Sequence, residues 1–290
     1  MKCGSRTSRS RNSDTKVCVD MPHIYRTRGG GEALFYTWFS AMHTRIDMAF
    51  TGKRTEQQFA DTAQSVRQRI IDIEHMGNCF DADSELARLN AATEHENIPV
   101  SQELHGLLSV CIQFNRLTLQ LFDITATSKP FLPGTIDSLR AEKGFTIRKE
   151  CTGISINLSG ILKGYALEQI RPLLAERQID NALVSMGNSS VMAIGNMKGT
   201  DGWNVSFPGS DRIFCLHDQC LTTSGNETTE RRHIIDPRNG KMAEGRRCVA
   251  IVNRNATEGE ALSTALFLAD DKERDTIMRN FHIDTIADFP

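Results

Sequence analysis

The chain has 290 residues, with 34 Lys and Arg against 36 Asp and Glu, a formal net charge of −2, and 39% hydrophobic and 24% charged residues. That is the composition expected of a soluble globular protein with one large core or two modest ones, and it offers no global positive charge to attract nucleic acid. Two Trp and three Tyr are too few for an aromatic stacking platform, and no apolar run reaches the ~20 residues of a membrane span.

Residues 1–31 are rich in Arg, Ser and Gly and end in Arg28-Gly29-Gly30-Gly31. They read as a disordered tail ahead of a folded domain over 32–290. The tail has no hydrophobic segment of the secretory kind. The eight cysteines show no Cys-x-x-Cys and several sit inside apolar runs, as Cys111 does, so they read as buried thiols of a reducing compartment. A start at Met21 would remove most of the tail. A cytoplasmic protein is expected, with export as the alternative if the N-terminus is misassigned.

In chain order, Leu34–Thr51 reads as a strand, with aromatic and β-branched residues in rough alternation. Thr55–His75 is an amphipathic helix whose Phe59, Ala63, Val66, Ile70 and Ile73 recur at spacings of four and three. Asn78–Asp83 breaks it, and a short helical turn follows over Ser84–Asn90. Ser101–Leu121 is a second amphipathic helix, with Ser101 and Glu103 suited to its start. A short apolar strand from Ile156 then breaks into Ser159-Gly160-Ile161-Leu162-Lys163-Gly164 and a helix over Ala166–Arg177. Strands are expected at Ala182–Met186, Val191–Ile194, Trp203–Phe207 and Cys248–Asn253, with Gly187 and Asn188 turning the chain between the first two. Glu258–Ala269 is a helix that is apolar on most sides. Strands and helices mix without regular βα alternation, which indicates the α+β class, a mixed sheet with packed helices.

Several groups carry chemistry. Strand, glycine turn, lysine and helix start form an order that suits an anion: glycines let the backbone approach, N–H groups point outward and Lys163 adds charge. It is not the phosphate loop of nucleoside triphosphatases, which needs Gly-Lys-Ser/Thr after a longer spacing, and an ordinary strand-to-helix turn would carry the same residues. Asp236-Pro-Arg-Asn-Gly240 is a turn, but a histidine, His233, and two isoleucines precede it, and histidine can take a proton from a hydroxyl nucleophile at neutral pH. Glu260 and Thr264 lie four apart on the last helix and so share a face. A carboxylate and a hydroxyl there are hard oxygen donors of the kind magnesium takes, although a Glu near a helix N-terminus is also favoured by the dipole alone. Ser224, His233 and Asp236 could spell a hydrolytic triad, but no Gly-x-Ser-x-Gly elbow is present. Asp123, in Phe122-Asp123-Ile124-Thr125, suits either a turn or a ligand contact.

Taken in order, these pieces resemble the FAD:protein FMN transferase family, the ApbE type, from about Phe39 to Phe267. The resemblance rests on Ser40-Ala-Met-His-Thr44, Asp83-Ser-Glu-Leu-Ala-Arg-Leu-Asn90, Gln120-Leu-Phe-Asp-Ile-Thr125 and Asn157-Leu-Ser-Gly-Ile-Leu-Lys-Gly-Tyr-Ala166. It continues through Ala182-Leu-Val-Ser-Met-Gly-Asn188, Thr223-Ser-Gly225, His233 to Gly240, and Glu260-Ala-Leu-Ser-Thr-Ala265. It implies Mg²⁺-dependent transfer of FMN from FAD to a threonine hydroxyl of an acceptor protein, with release of AMP. By the resemblance, Met42, Phe80, Leu121, Phe122, Asp123, Asn157, Lys163 and Ile235 would contact FAD. The carbonyl of Gly160, with Glu260, Ser263 and Thr264, would surround the metal, and His233 would be the base or orienter for the incoming hydroxyl. The chain departs from the family pattern where Glu260 and Asn157 each replace an aspartate, where His43 and Asn188 replace glycines, and where Asn239 replaces a threonine. The alternatives are an FAD pyrophosphatase that gives FMN and AMP, and a flavin-binding protein without catalysis.

Overall fold

The computed structural model describes residues 21–27, 29–187, 189–206, 212–226, 234–244, 248–281, 283 and 286–289. The chain opens with β1 (His23–Thr27), β2 (Ala33–Ala41) and β3 (Thr44–Gly52). Where the sequence suggests one strand over 34–51, the chain folds back at Met42 and His43, both at positive φ (51° and 56°), as a two-residue hairpin requires. Along β2 the period of two buries Ala33, Phe35, Thr37, Phe39 and Ala41 and leaves Leu34, Tyr36 and Trp38 partly exposed on the other face. β1 lies within the stretch read as a tail, so the sheet begins before residue 32. The Thr37 hydroxyl donates to Pro22 O (2.8 Å) and the Tyr25 hydroxyl to Arg54 O (3.1 Å), tying this edge strand down. Residues 1–20 lie outside the described residues.

Next come α1 (Glu56–Gly77) and α2 (Glu85–Ala91). Thr55 and Gln58 form a capping box at the start of α1, and its five heptad-like apolar residues are fully buried. β4 (Asn97–Pro99) and α3 (Gln102–Leu117) follow. α3 ends four residues before the expected Leu121. The Thr118 hydroxyl donates to Phe114 O (2.8 Å) and accepts from the Phe122 N–H (3.1 Å), while Leu119 and Gln120 turn to positive φ. β5 (Leu139–Glu142) and β6 (Thr146–Lys149) join β4 in a small sheet of order β4-β6-β5.

α4 (Leu162–Glu176) leads to β7 (Asn181–Met186) and β8 (Ser190–Ile194), then to the ladder of β9 (Trp203–Val205) and β10 (Phe214–Leu216). β11 (Cys220–Gly225), β12 (Ile235–Asp236), β13 (Lys241–Met242) and β14 (Cys248–Asn253) precede α5 (Ala256–Leu268), α6 (Asp271–Phe281) and β15 (Ile286–Phe289). The main sheet has the order β1-β2-β3-β7-β8-β11-β14-β15. The α+β class holds. Where the sequence suggested a mixed sheet, the ladders joining the described strands are all antiparallel, as short hairpin connections such as β2–β3 require.

α1, α4 and α5 cover one face and enclose the main core. α5 lies on β11 and β14 and against α4, which explains why it is apolar nearly all round. On the opposite face Trp203, Phe214 and Leu216 of the β9–β10 hairpin pack on Val191, Ala193, Leu221 and Ala250. No helix among the described residues is long and apolar enough to cross a membrane.

Candidate active site

Several chain reversals converge at one end of the main sheet. The Met42 N–H donates to Glu74 Oε1 near the end of α1 (2.7 Å), which fixes the β2–β3 turn there. Gly187, at φ 63°, turns β7 into β8. A Cβ on it would lie 2.1 Å from Thr44 Oγ1, and its N–H donates to Arg45 O (3.0 Å), so only glycine fits this turn against β3. The Thr223 N–H donates to Ser189 O (2.8 Å) and draws the end of β11 to the same place.

The start of α4 enters this cluster. The expected strand before it does not form: residues 154–158 join no ladder, and their backbone groups go elsewhere, both of Ile156's to Asn90, the Ser155 N–H to Ser128 Oγ and the Asn157 N–H to Ile124 O. Asn90 Nδ2 donates to Ile156 O and Asn90 Oδ1 accepts from the Ile156 N–H, both at 2.8 Å. The Asn157 N–H donates to Ile124 O (2.8 Å), which lays Asn157 beside Asp123 and its neighbours. The helix begins at Leu162 rather than Ala166, so Lys163 and Gly164 occupy its first turn, where N–H groups lack partners within the helix. A Cβ on Gly164 would meet Ala256 O at 2.2 Å and Glu260 Cγ at 2.5 Å. This glycine lets α4 close onto α5.

At that crossing a set of polar side chains is held inside the protein. Glu260 is 4% exposed. The hydroxyl of Ser190 donates to its Oε1 (2.5 Å), and the Gly164 N–H is a second donor to the carboxylate. Lys163 Nζ donates to the Ser189 hydroxyl, whose oxygen lies 3.4 Å from that of Ser190. Ammonium and carboxylate are thus joined through two serines. Burial pushes the Glu260 carboxyl above its ordinary value, while the Lys163 charge and the Ser190 and Gly164 donors pull it back. One turn further along α5, Ser224 Oγ lies 2.8 Å from Ser263 Oγ and 3.1 Å from Thr264 Oγ1. The result is one carboxylate, three clustered hydroxyls and an ammonium at a helix N-terminus.

The chain matches the ApbE family over residues 42–287. This protein belongs to the ApbE family. It is similar to the FAD:protein FMN transferase of Vibrio cholerae serotype O1, with 23% identity over 245 residues covering 71% of this chain and 73% of that protein. The FAD:protein FMN transferase of Chlamydia trachomatis serovar D is 24% identical over 245 residues, covering 73% and 77%. Among solved structures, the flavin transferase ApbE from Vibrio cholerae superposes with a TM-score of 0.74 at 18% identity, covering 92% of this chain and 93% of that one. The ApbE protein of Thermotoga maritima gives 0.72 at 22% identity, covering 86% and 91%.

Within this ApbE fold the residues singled out from the sequence fall into distinct groups. Lys163, Glu260, Ser263 and Thr264 come together, and Gly160 lies four residues before Gly164 in the turn that opens α4. Leu121, Phe122 and Asp123 form a second group, fixed by Thr118 and by Asn115, whose Nδ2 donates to Phe122 O (2.9 Å). Asp123 Oδ1 accepts the N–H and the hydroxyl of Thr125, both at 2.6 Å. Burial raises the Asp123 carboxyl, and the Thr125 donors oppose the rise. Asn157 turns its Oδ1 to the Ser159 N–H (2.9 Å).

Phe80 stands 77% exposed in the loop after α1, its N–H donating to Asn78 Oδ1 (3.0 Å). Ile235 sits in the short β12–β13 ladder, whose turn at Gly240 rests on the Phe131 ring. His233 lies outside the described residues, as does Asn188. Sequence reasoning missed Ser189 and Ser190 and met Ser224 as a discounted triad member and as part of the Thr223-Ser-Gly225 motif, without assigning it a role in the site. The available signal was Ser190 itself, a hydroxyl heading a strand whose next three residues are all buried. A cleft of about 380 Å³ lined by Lys53, Arg54, Gln178 and Asp180 opens at the other end of β3 and β7, away from these groups.

Proposed function

We propose that this chain transfers FMN from FAD to a threonine hydroxyl of an acceptor protein, with Mg²⁺, releasing AMP. The observation that carries the reading is the set at the α4–α5 crossing, where Lys163 in the first turn of α4 meets Glu260, with Ser263 and Thr264 one turn further along α5. Such an arrangement suits a diphosphate. The helix N-terminus and the ammonium attract its negative charge.

The donor set also fits a hard divalent cation. Glu260 supplies a buried carboxylate whose charge burial disfavours, so a cation beside it would relieve that cost. Thr264, Ser263 and the Gly160 carbonyl add neutral oxygens, and magnesium commonly takes one or two carboxylates and completes its shell with substrate phosphates and water. Among the described residues no group of three or more His, Cys, Asp or Glu could hold a metal. When bound, the cation would neutralise charge on the diphosphate oxygens.

The remaining work falls to the chain. Lys163 would hold the diphosphate, and Asp123 and Asn157 would orient FAD through hydrogen bonds, with Met42, Leu121, Phe122, Ile235 and Phe80 as its apolar contacts. The acceptor's threonine oxygen forms a bond to the FMN-side phosphorus while the bond from that phosphorus to the bridging oxygen breaks. The bridging oxygen leaves on AMP, and the threonine proton passes to a base, assigned to His233 by the family resemblance. Positioning and charge neutralisation supply most of the catalysis in such a transfer.

The test is incubation of purified protein with FAD, Mg²⁺ and a threonine acceptor peptide, following nucleotides and peptide mass together. A peptide that gains FMN with matching AMP supports transfer. Free FMN and AMP with an unmodified peptide would replace transfer by hydrolysis, and bound but intact FAD would remove the catalytic reading.

A further inference from the structure

We propose that Ser190 is a positioning residue for Glu260: its hydroxyl locks the carboxylate in the orientation that leaves it open to a divalent cation and separate from Lys163. The inference rests on the reading above, in which Glu260 is a metal ligand. Ser190 is fully buried at the first position of β8, and its hydroxyl meets Glu260 Oε1 at 2.5 Å across the sheet–helix interface. A serine here has no packing advantage over the apolar residues that follow it on the strand, so its hydroxyl is the feature that matters. Glutamate has more rotatable bonds than a shorter carboxylate would, and an unanchored buried carboxylate four residues from Thr264 would turn toward the nearest cation, Lys163. The two serines prevent that collapse. Ser189 occupies the Lys163 ammonium, and Ser190 occupies one side of the carboxylate.

A carboxylate offers about four lone-pair positions. Ser190 and the Gly164 N–H account for two of them, which leaves acceptor capacity for a cation. Partners that orient a metal ligand in this way typically change metal affinity by about 10- to 100-fold when removed.

The test is titration of the full chain with Mn²⁺ alone, without FAD, reading free Mn²⁺ by electron paramagnetic resonance. Ser190→Ala is expected to weaken Mn²⁺ binding by about 10- to 100-fold, with FAD binding in the absence of metal unchanged. Ser190→Thr, which keeps the hydroxyl, should restore affinity to within about threefold of the parent protein. In a Glu260→Asp background, whose shorter stem falls short of Ser190, the additional Ser190→Ala change should have a markedly smaller effect, the non-additivity of coupled residues. Mn²⁺ affinity unchanged in Ser190→Ala, while Glu260→Gln abolishes binding, would overturn the role of Ser190 and leave the metal reading intact. A parent protein that binds no Mn²⁺, or a Glu260→Gln protein that binds it unchanged, would overturn both.

Discussion

Gly164→Ala tests whether the α4–α5 crossing depends on a missing side chain. Within a helix, replacing glycine by alanine ordinarily stabilises by about 1 kcal/mol. Here the new methyl would lie 2.2 Å from Ala256 O, 2.7 Å from Ala256 C and 2.5 Å from Glu260 Cγ. Two of these atoms are backbone and the third is the stem of a fully buried side chain, so none can swing aside and the helices must separate. Overpacking of this kind costs about 1–3 kcal/mol or more, and immovable neighbours put the cost at the upper end. The net expectation is a loss of about 2 kcal/mol, or roughly 5 °C in Tm for a chain of this size. Gly106→Ala supplies the opposite control: Gly106 is exposed within α3 and an added Cβ meets nothing within 4 Å. It should raise stability by about 0.5–1 kcal/mol. Thermal unfolding of the two variants beside the parent decides the matter. If Gly164→Ala proves as stable as Gly106→Ala, the close approach of α4 to α5 is not what glycine serves at this position.

Phe80→Ala should leave Tm nearly unchanged, because the ring is 77% exposed, yet weaken FAD about 3- to 10-fold if the ring contacts the flavin; fluorescence titration with intact affinity would remove Phe80 from the site. Burial pushes the Cys111 thiol far above its ordinary value and the Cys220 thiol up to about 12, whereas Cys215 is exposed on β10. Brief alkylation of the folded protein followed by peptide mapping should therefore mark Cys215 and spare Cys111 and Cys220, and early labelling of Cys111 would contradict its place in the core. Burial raises the Asp236 carboxyl, but the Arg238 side chain and N–H more than offset this and hold it below its ordinary 3.8. A depressed carboxyl contributes stability that is present above the unfolded value and lost as pH falls through the folded one. Arg238→Met should accordingly lower stability most at neutral pH, with a loss that shrinks as pH falls below about 4, so that the acid limb of the stability–pH profile is flatter; an unaltered acid limb would count against the Asp236–Arg238 pair.

Local patterns in the sequence carried most of the elements. The spacing of Phe59, Ala63, Val66, Ile70 and Ile73 marks α1 because a helix repeats every 3.6 residues, and all five are buried as that pattern demands. Serines at 84 and 101 mark the starts of α2 and α3 because a hydroxyl satisfies a free N–H there. Periodicity carries less information about where an element reverses or stops. The Met42–His43 hairpin and the end of α3 at Thr118 are set by positive φ in residues that seldom adopt it and by Glu74 and Thr118 hydrogen bonds, so neither was legible. Residues 154–158 look like a strand and form none; Asn90, 66 residues from Ile156, takes both backbone groups of that residue, and Ser128 and Ile124 accept from its neighbours.

The sequence by itself determined the family and the chemical types of the candidate site residues, because both reside in the identity of side chains and their order. Lys163, Glu260 and Thr264 could be named from it, and the i, i+4 relation of the last two follows from helix geometry alone. What only the tertiary structure decided is the company they keep. Lys163 on α4, Ser189 just before β8, Ser190 at its start and Glu260 on α5 are brought within hydrogen-bonding distance by Gly164 and Gly187, which permit backbone approaches that a Cβ would block, and Ser224 on β11 reaches Ser263 and Thr264 of α5. Such contacts depend on how a sheet and two helices close on one another, and that closure is a property of packing in three dimensions that no spacing along the chain encodes.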